Sequence, residues 1–142
     1  ITRADFLYYL IRALGIHAKI DGNFDDISNG AYYCKEIAIA KKLGIAKGTG
    51  NNKFNPDAVI TREDMMVLTE RALRIAGKLE NQQEDKNLDE FADKASISAY
   101  AINSVALVVK EGLIVGDGKN IRPRDNATRA EAAMLLYRVY NK

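Results

Sequence analysis

Cysteine, histidine, proline and tryptophan are scarce in the 142-residue chain: Cys34 and His17 stand alone, there are two prolines, and there is no tryptophan. One cysteine excludes an internal disulfide framework, and one histidine leaves no Cys/His set with zinc-ligand spacing. Excess charge of one sign is missing as well. With 21 basic residues against 19 acidic ones, the chain lacks the basic footprint of a nucleic-acid binder, so any anion recognition has to be local. No apolar run approaches the roughly 20 residues that span a bilayer, and no basic stretch followed by an apolar segment opens the chain. The reading therefore contains no nucleic acid partner, no membrane insertion, no cofactor and no metal. The hydrophobic content of 47% suffices for one ordinary core or for a few small repeated units.

What is present is repetition. Phe24 stands as far ahead of Thr61 as Phe91 does of Thr128, and within these frames Asp26 matches Asp93, Tyr32 matches Tyr100, Gly44 matches Gly112, Gly48 matches Gly116 and Pro56 matches Pro123. One unit reads as Phe-x-Asp, a helix, Gly-Ile/Leu, a Gly-x-Gly loop, an apolar-x-Pro turn, Thr-Arg-x-acid and a second helix. Apolar residues at helical spacing place the first helices at roughly 31–43 and 98–111, each followed by a glycine where a left-handed cap is expected. The second helices start at the Thr-Arg motifs. Residues 1–14 match only the second half of a unit, which divides the chain into a half-unit at 1–20, a complete unit at 21–77, a polar linker at 78–86 and a complete unit at 87–142. A single helical pair hardly buries its own apolar face, so these are parts of one all-α assembly.

The motif Thr-Arg-x-Asp/Glu occurs three times, at Thr2/Asp5, Thr61/Asp64 and Thr128/Glu131. Capping accounts for the threonine, which accepts a hydrogen bond from an orphan amide, and for the acid three residues on, which reaches back to the cap. It does not account for Arg3, Arg62 and Arg129, because a cation in the first helical turn opposes the helix dipole. Either each arginine pairs with a neighbouring acid, or arginine and helix amides converge on an anionic ligand such as a carboxylate. By contrast Arg12, Arg71 and Arg138, ten positions after each threonine, lie toward helix C-termini, where positive charge is ordinary.

Other readings fail on spacing. Asp21, Asn23 and Asp25 mimic the start of an EF-hand loop, but Asp26 stands where its glycine belongs and Tyr32 where its final acid belongs. The Gly-x-Gly loops lack the Gly-Lys-Ser/Thr of a phosphate loop. Carboxylates in repeated places are accounted for by caps and loops, which leaves no single catalytic pair.

The ordered recurrence of Phe24-Asp25-Asp26-Ile27, Gly44-Ile45, Gly48, Phe54-Asn55-Pro56 and Ile60-Thr61-Arg62-Glu63-Asp64, answered by Phe91-Ala92-Asp93, Gly112-Leu113, Gly116, Ile121-Arg122-Pro123 and Thr128-Arg129-Ala130-Glu131, resembles the S-layer homology domain. Asp5 and Asp64 stand where that family usually has Glu, and Ala127 where Ile is usual. The resemblance implies tandem helical-hairpin repeats in a pseudo-threefold arrangement with a central three-helix bundle, the first repeat truncated. It implies a non-catalytic, extracellular anchoring module of the bacterial cell wall that binds pyruvylated secondary cell-wall polysaccharide in grooves between repeats. Arg3, Arg62 and Arg129 would meet the pyruvyl carboxylate, and Asp26, Asp93, Gly48 and Gly116 join them as candidate ligand-binding positions. The alternative is a protein-interaction module for surface-layer assembly, with other surface-layer chains as partners and the arginines in salt bridges.

Overall fold

The computed structural model describes residues 1–79 and 88–142. Of the linker read over 78–86, residues 80–86 lie outside the described residues. The described chain is helical: α1 spans Arg3–Ala13, α2 Cys34–Lys42, α3 Arg62–Ile75, α4 Ile102–Lys110 and α5 Arg129–Tyr140, with short 3-10 turns at Lys94–Ser96 and Ala99–Ala101. Only isolated bridges of β type occur among the described residues, including Thr2 with Val59 and Thr61 with Asn126.

The three helices that follow Thr-Arg begin where the motif places them. Thr2, Thr61 and Thr128 are their N-caps, each accepting from the amide three residues on. α2 and α4 begin later than the spacing predicts, at Cys34 and Ile102. Their N-caps, Tyr33 and Ala101, offer no side-chain hydrogen bond, so the preceding residues tighten into turns instead of extending the helix.

One continuous apolar core runs through all the units, joining Phe6, Leu7 and Leu10 of α1, Ile37 of α2, Met65, Met66 and Leu73 of α3, Val105 of α4 and Leu135 and Val139 of α5. α1 packs against α3 and α5, while α2 packs on α1 and α4 on α3. Each of the latter pairings straddles a boundary between sequence units, so a repeat is finished by the one after it.

Backbone hydrogen bonds fasten the same boundaries. The first amides of α1, at Arg3 and Ala4, donate to the carbonyls of Ala58 and Pro56, and those of α3, at Arg62 and Glu63, donate to Asp125 and Pro123. Helix-start amides that lack intrahelical partners are thus satisfied by the proline turn of the next unit. Among the described residues no helix is long and apolar enough to cross a membrane.

Candidate functional site

The Thr-Arg-x-acid motif works differently at each of its three sites. Only Thr128 and Glu131 complete the reciprocal capping box, with the Thr128 amide donating to Glu131 Oε1 at 3.1 Å. At Thr2/Asp5 and Thr61/Asp64 the expected return bond is missing. Aspartate is one methylene shorter than glutamate, and both aspartates are engaged elsewhere: Asp5 accepts from the Tyr32 hydroxyl, Asp64 from the Tyr100 hydroxyl at 2.6 Å and from Arg3 Nη1 at 2.8 Å.

Arg3 and Arg62 pair with acids, but with those of the following unit. Arg3 donates through Nε to the Phe54 carbonyl at 3.0 Å and through Nη1 to Asp64, and its guanidinium lies 4.9 Å from the centre of the Phe54 ring. Arg62 repeats this one unit later, donating to the Ile121 carbonyl at 2.9 Å and forming an ion pair with Glu131. Arg62 is only 4% exposed. Burial, and after it the like charge of Arg122, pulls its pKa down from the ordinary guanidinium value. Arg129 is exposed and has no ion-pair or hydrogen-bond partner among the described residues.

The glycine loops are held from behind. Asp26 accepts from the amides of Phe54 and Asn55 at 2.9 and 2.8 Å, and Asp93 accepts from those of Ile121 and Arg122 at 2.9 and 2.8 Å. These bonds hold Asn55 and Arg122 in left-handed backbone, with φ of 61° and 52°. Partial burial works against the Asp26 carboxylate, but the two amides and nearby charge outweigh it, and its pKa lies below the ordinary value. Gly48 has φ of +79°, and a Cβ there would sit 2.4 Å from the Lys53 carbonyl and 2.8 Å from the Phe24 ring. Gly116 is enclosed in the same way by Asn120 and Phe91. The loops therefore lie close against the aromatic that begins each unit.

Two equivalent grooves result. The first, of about 340 Å³, is lined by Arg3, Lys47, Gly48, Asp64, Arg71 and Tyr100 among others. The second, of about 330 Å³, is lined by Arg62, Gly116, Arg122, Glu131 and Arg138 among others. Each presents three cationic side chains and one carboxylate, so each has an excess of positive charge. Arg71 and Arg138 cross the groove walls to the carbonyls of Ile45 and Leu113 at 3.2 and 2.9 Å. At Tyr100, burial and then the hydrogen bond to Asp64 push the phenol pKa above its ordinary value, which keeps the hydroxyl a donor.

Arg3, Gly48 and Asp64 of the sequence-derived set thus meet in one groove, and Arg62, Gly116 and Glu131 in the other. Arg129, Asp26 and Asp93 line neither, and Asp5 lies at α1 under Tyr32. Lys47 and Arg122 are groove residues that the motif reading passes over, and Arg71, Arg138 and Tyr100 line the grooves as well although they stand outside the motif. The arginine that recurs ten positions after each motif threonine lies in the last turn at Arg12 and Arg138, and at Arg71 and Arg138 it also borders a groove.

A family model described as S-layer homology domain matches residues 23–66 and 90–133. Over its whole length the chain is 37% identical to an amylopullulanase of Thermoanaerobacterium thermosulfurigenes and 37% identical to an exoglucanase of Acetivibrio thermocellus, spanning 8% and 13% of those proteins. Over 97% of its length it is 29% identical to a surface-layer 125 kDa protein of Lysinibacillus sphaericus, of which it spans 12%. These relatives share with it a module and not their whole length, and that module carries the two matched units, the repeated motifs and the helical architecture described above. The chain belongs to the S-layer homology domain family, whose modules place proteins at the bacterial cell surface and associate them with the cell wall.

Proposed function

We propose that the module is non-catalytic and anchors a larger polypeptide by binding anionic, pyruvyl-bearing secondary cell-wall polysaccharide in its two inter-unit grooves. The observation that carries this reading is the pair of grooves, each with three cations against one carboxylate and a glycine loop at its side. Nε and Nη1 of Arg3 and of Arg62 already serve protein acceptors, so the remaining guanidinium nitrogen of each shares the ligand carboxylate with Arg71 or Arg138. Backbone beside Gly48 and Gly116, where no side chain intervenes, approaches the sugar. Two grooves on one polymer raise retention beyond single-site affinity through effective concentration. The anchored polypeptide is an enzyme or a surface-layer protein, as the relatives are.

Binding to purified cell-wall polymer, measured before and after removal of its pyruvyl groups, tests this. Loss of binding with the pyruvyl groups is expected, and equal binding overturns carboxylate recognition. One feature favours the interaction-module alternative: Tyr137 and Tyr140 on α5 are 67% and 68% exposed and share an apolar surface with Tyr9 of α1. Self-association that Arg71→Ala and Arg138→Ala leave intact, together with unchanged wall binding, would favour that role.

A further inference from the structure

Asn29-Gly30 is the sole Asn-Gly step in the sequence, and it lies away from both grooves, in the turn that leads into α2. The Ala31 amide donates to the Ser28 carbonyl at 3.1 Å, which makes Asn29 and Gly30 the central residues of that turn. Ser28, Asn29 and Gly30 are exposed, and the Asn29 side chain has no hydrogen-bond partner among the described residues. Comparison of the units explains why the Gly30 amide is loosely held. Two residues before the matched tyrosine of the last unit stands Ser98, whose amide donates to Glu63 at 3.0 Å and whose hydroxyl donates to the same carboxylate at 2.6 Å. At the earlier boundary Ala4 occupies the place of Glu63 and Gly30 that of Ser98, so no such carboxylate is present. The Gly30 amide is left with the Ser28 hydroxyl oxygen at 3.4 Å, beyond the usual range for an N–H donor. Gly30 also carries no Cβ to shield its nitrogen, and the nearest atom to where one would stand is Ser28 Oγ at 4.0 Å.

We propose that Asn29 is a site of spontaneous deamidation, with the Gly30 nitrogen as nucleophile and water as the second reactant. The Gly30 nitrogen attacks Asn29 Cγ. As that bond forms, the bond from Cγ to Nδ2 breaks, and Nδ2 leaves as ammonia with the proton that the Gly30 nitrogen gives up. Water then opens the resulting five-membered imide. Addition at Cγ leaves aspartate, and addition at the main-chain carbonyl of residue 29 leaves isoaspartate, in which the backbone runs through the former side chain. Both products carry a new negative charge. The isoaspartyl form also inserts an extra main-chain carbon between Ser28 and Tyr32. That segment sets Tyr32 against Asp5 of α1 and edge-on to Tyr8, with ring centres 5.3 Å apart, so the change falls on the contact between the first two units. It is independent of what the grooves bind.

The test is incubation of the whole chain in mildly alkaline buffer, followed by peptide mapping with mass spectrometry. The peptide containing Asn29 is expected to gain about 1 Da ahead of every other asparagine peptide, and to separate chromatographically into isoaspartyl and aspartyl forms. The folded chain is expected to react within about threefold of the rate of a free peptide spanning residues 26–33, because the turn is exposed and its amide is weakly held. Gly30→Ala is expected to slow the reaction about tenfold or more, since a Cβ crowds the attacking nitrogen and narrows its backbone freedom. The open space at Gly30 lets that variant fold. A folded chain that keeps Asn29 intact while the peptide reacts, an earlier mass gain at another asparagine, or a Gly30→Ala chain that reacts as fast as wild type overturns the proposal.

Discussion

Arg3, Arg62 and Arg129 occupy the same place in the same motif, yet replacing each with leucine is expected to have three different consequences. Arg62 is 4% exposed, and its ion-pair partner Glu131 keeps 23% of its side-chain surface. Removing one member of a buried pair typically costs 3–5 kcal/mol, and the residual hydration of Glu131 sets Arg62→Leu at the low end, about 3 kcal/mol. Arg3 and Asp64 are more accessible, at 11% and 26% of their side-chain surfaces. Arg3→Leu therefore falls between the buried and the surface case, at about 2 kcal/mol. Arg129 is exposed and without a partner among the described residues, so Arg129→Leu stays within about 0.5 kcal/mol of wild type. For a chain of this size the order corresponds to losses in Tm of roughly 10, 6 and under 2 °C. Urea denaturation followed by far-UV circular dichroism at pH 7 reads the series directly. Equal losses at all three arginines, or a largest loss at Arg129, would refute the inter-unit pairing.

Gly44 and Gly48 separate backbone strain from crowding. Both have positive φ, but a Cβ at Gly44 meets nothing within 4 Å whereas one at Gly48 runs into the Lys53 carbonyl and the Phe24 ring. Gly44→Ala is expected to cost about 1 kcal/mol from the left-handed backbone, and Gly48→Ala about 1–3 kcal/mol more; equal denaturation midpoints would contradict this. Asp26 supplies a pH-dependent contribution. Its folded pKa is depressed, so its stabilisation is complete above the usual carboxylate range near about pH 4 and disappears as pH falls through the lower folded value. Asp26→Asn should be less stable than wild type at pH 7, with the gap closing as the solution is acidified. A gap that stays constant down to pH 3 would show that the amide-capped carboxylate is not its source.

Helix starts were legible because their causes are local. A threonine cap and the amide three residues on lie within one turn, and Gly15, Gly44, Gly77 and Gly112 fall in left-handed backbone where the helices end. The late starts of α2 and α4 had a local cause too, the lack of a capping side chain at Tyr33 and Ala101. At Thr2/Asp5 and Thr61/Asp64 the return half of the capping box is absent because Asp5 and Asp64 are drawn to tyrosines 27 and 36 residues away, which spacing within a motif does not reveal.

The sequence by itself determined the repeat, the family resemblance, the helical class and the two glycine loops, all carried by short-range patterns that recur in order. Tertiary structure alone decided what the three motif arginines do. Arg3 finds Asp64 61 residues on, and Arg62 finds the Ile121 carbonyl 59 residues on, while Arg129 stays in solvent. An arginine's role depends on which acceptor the packing of the next unit brings beside it and how much water that packing removes, and neither is encoded in the four residues of the motif.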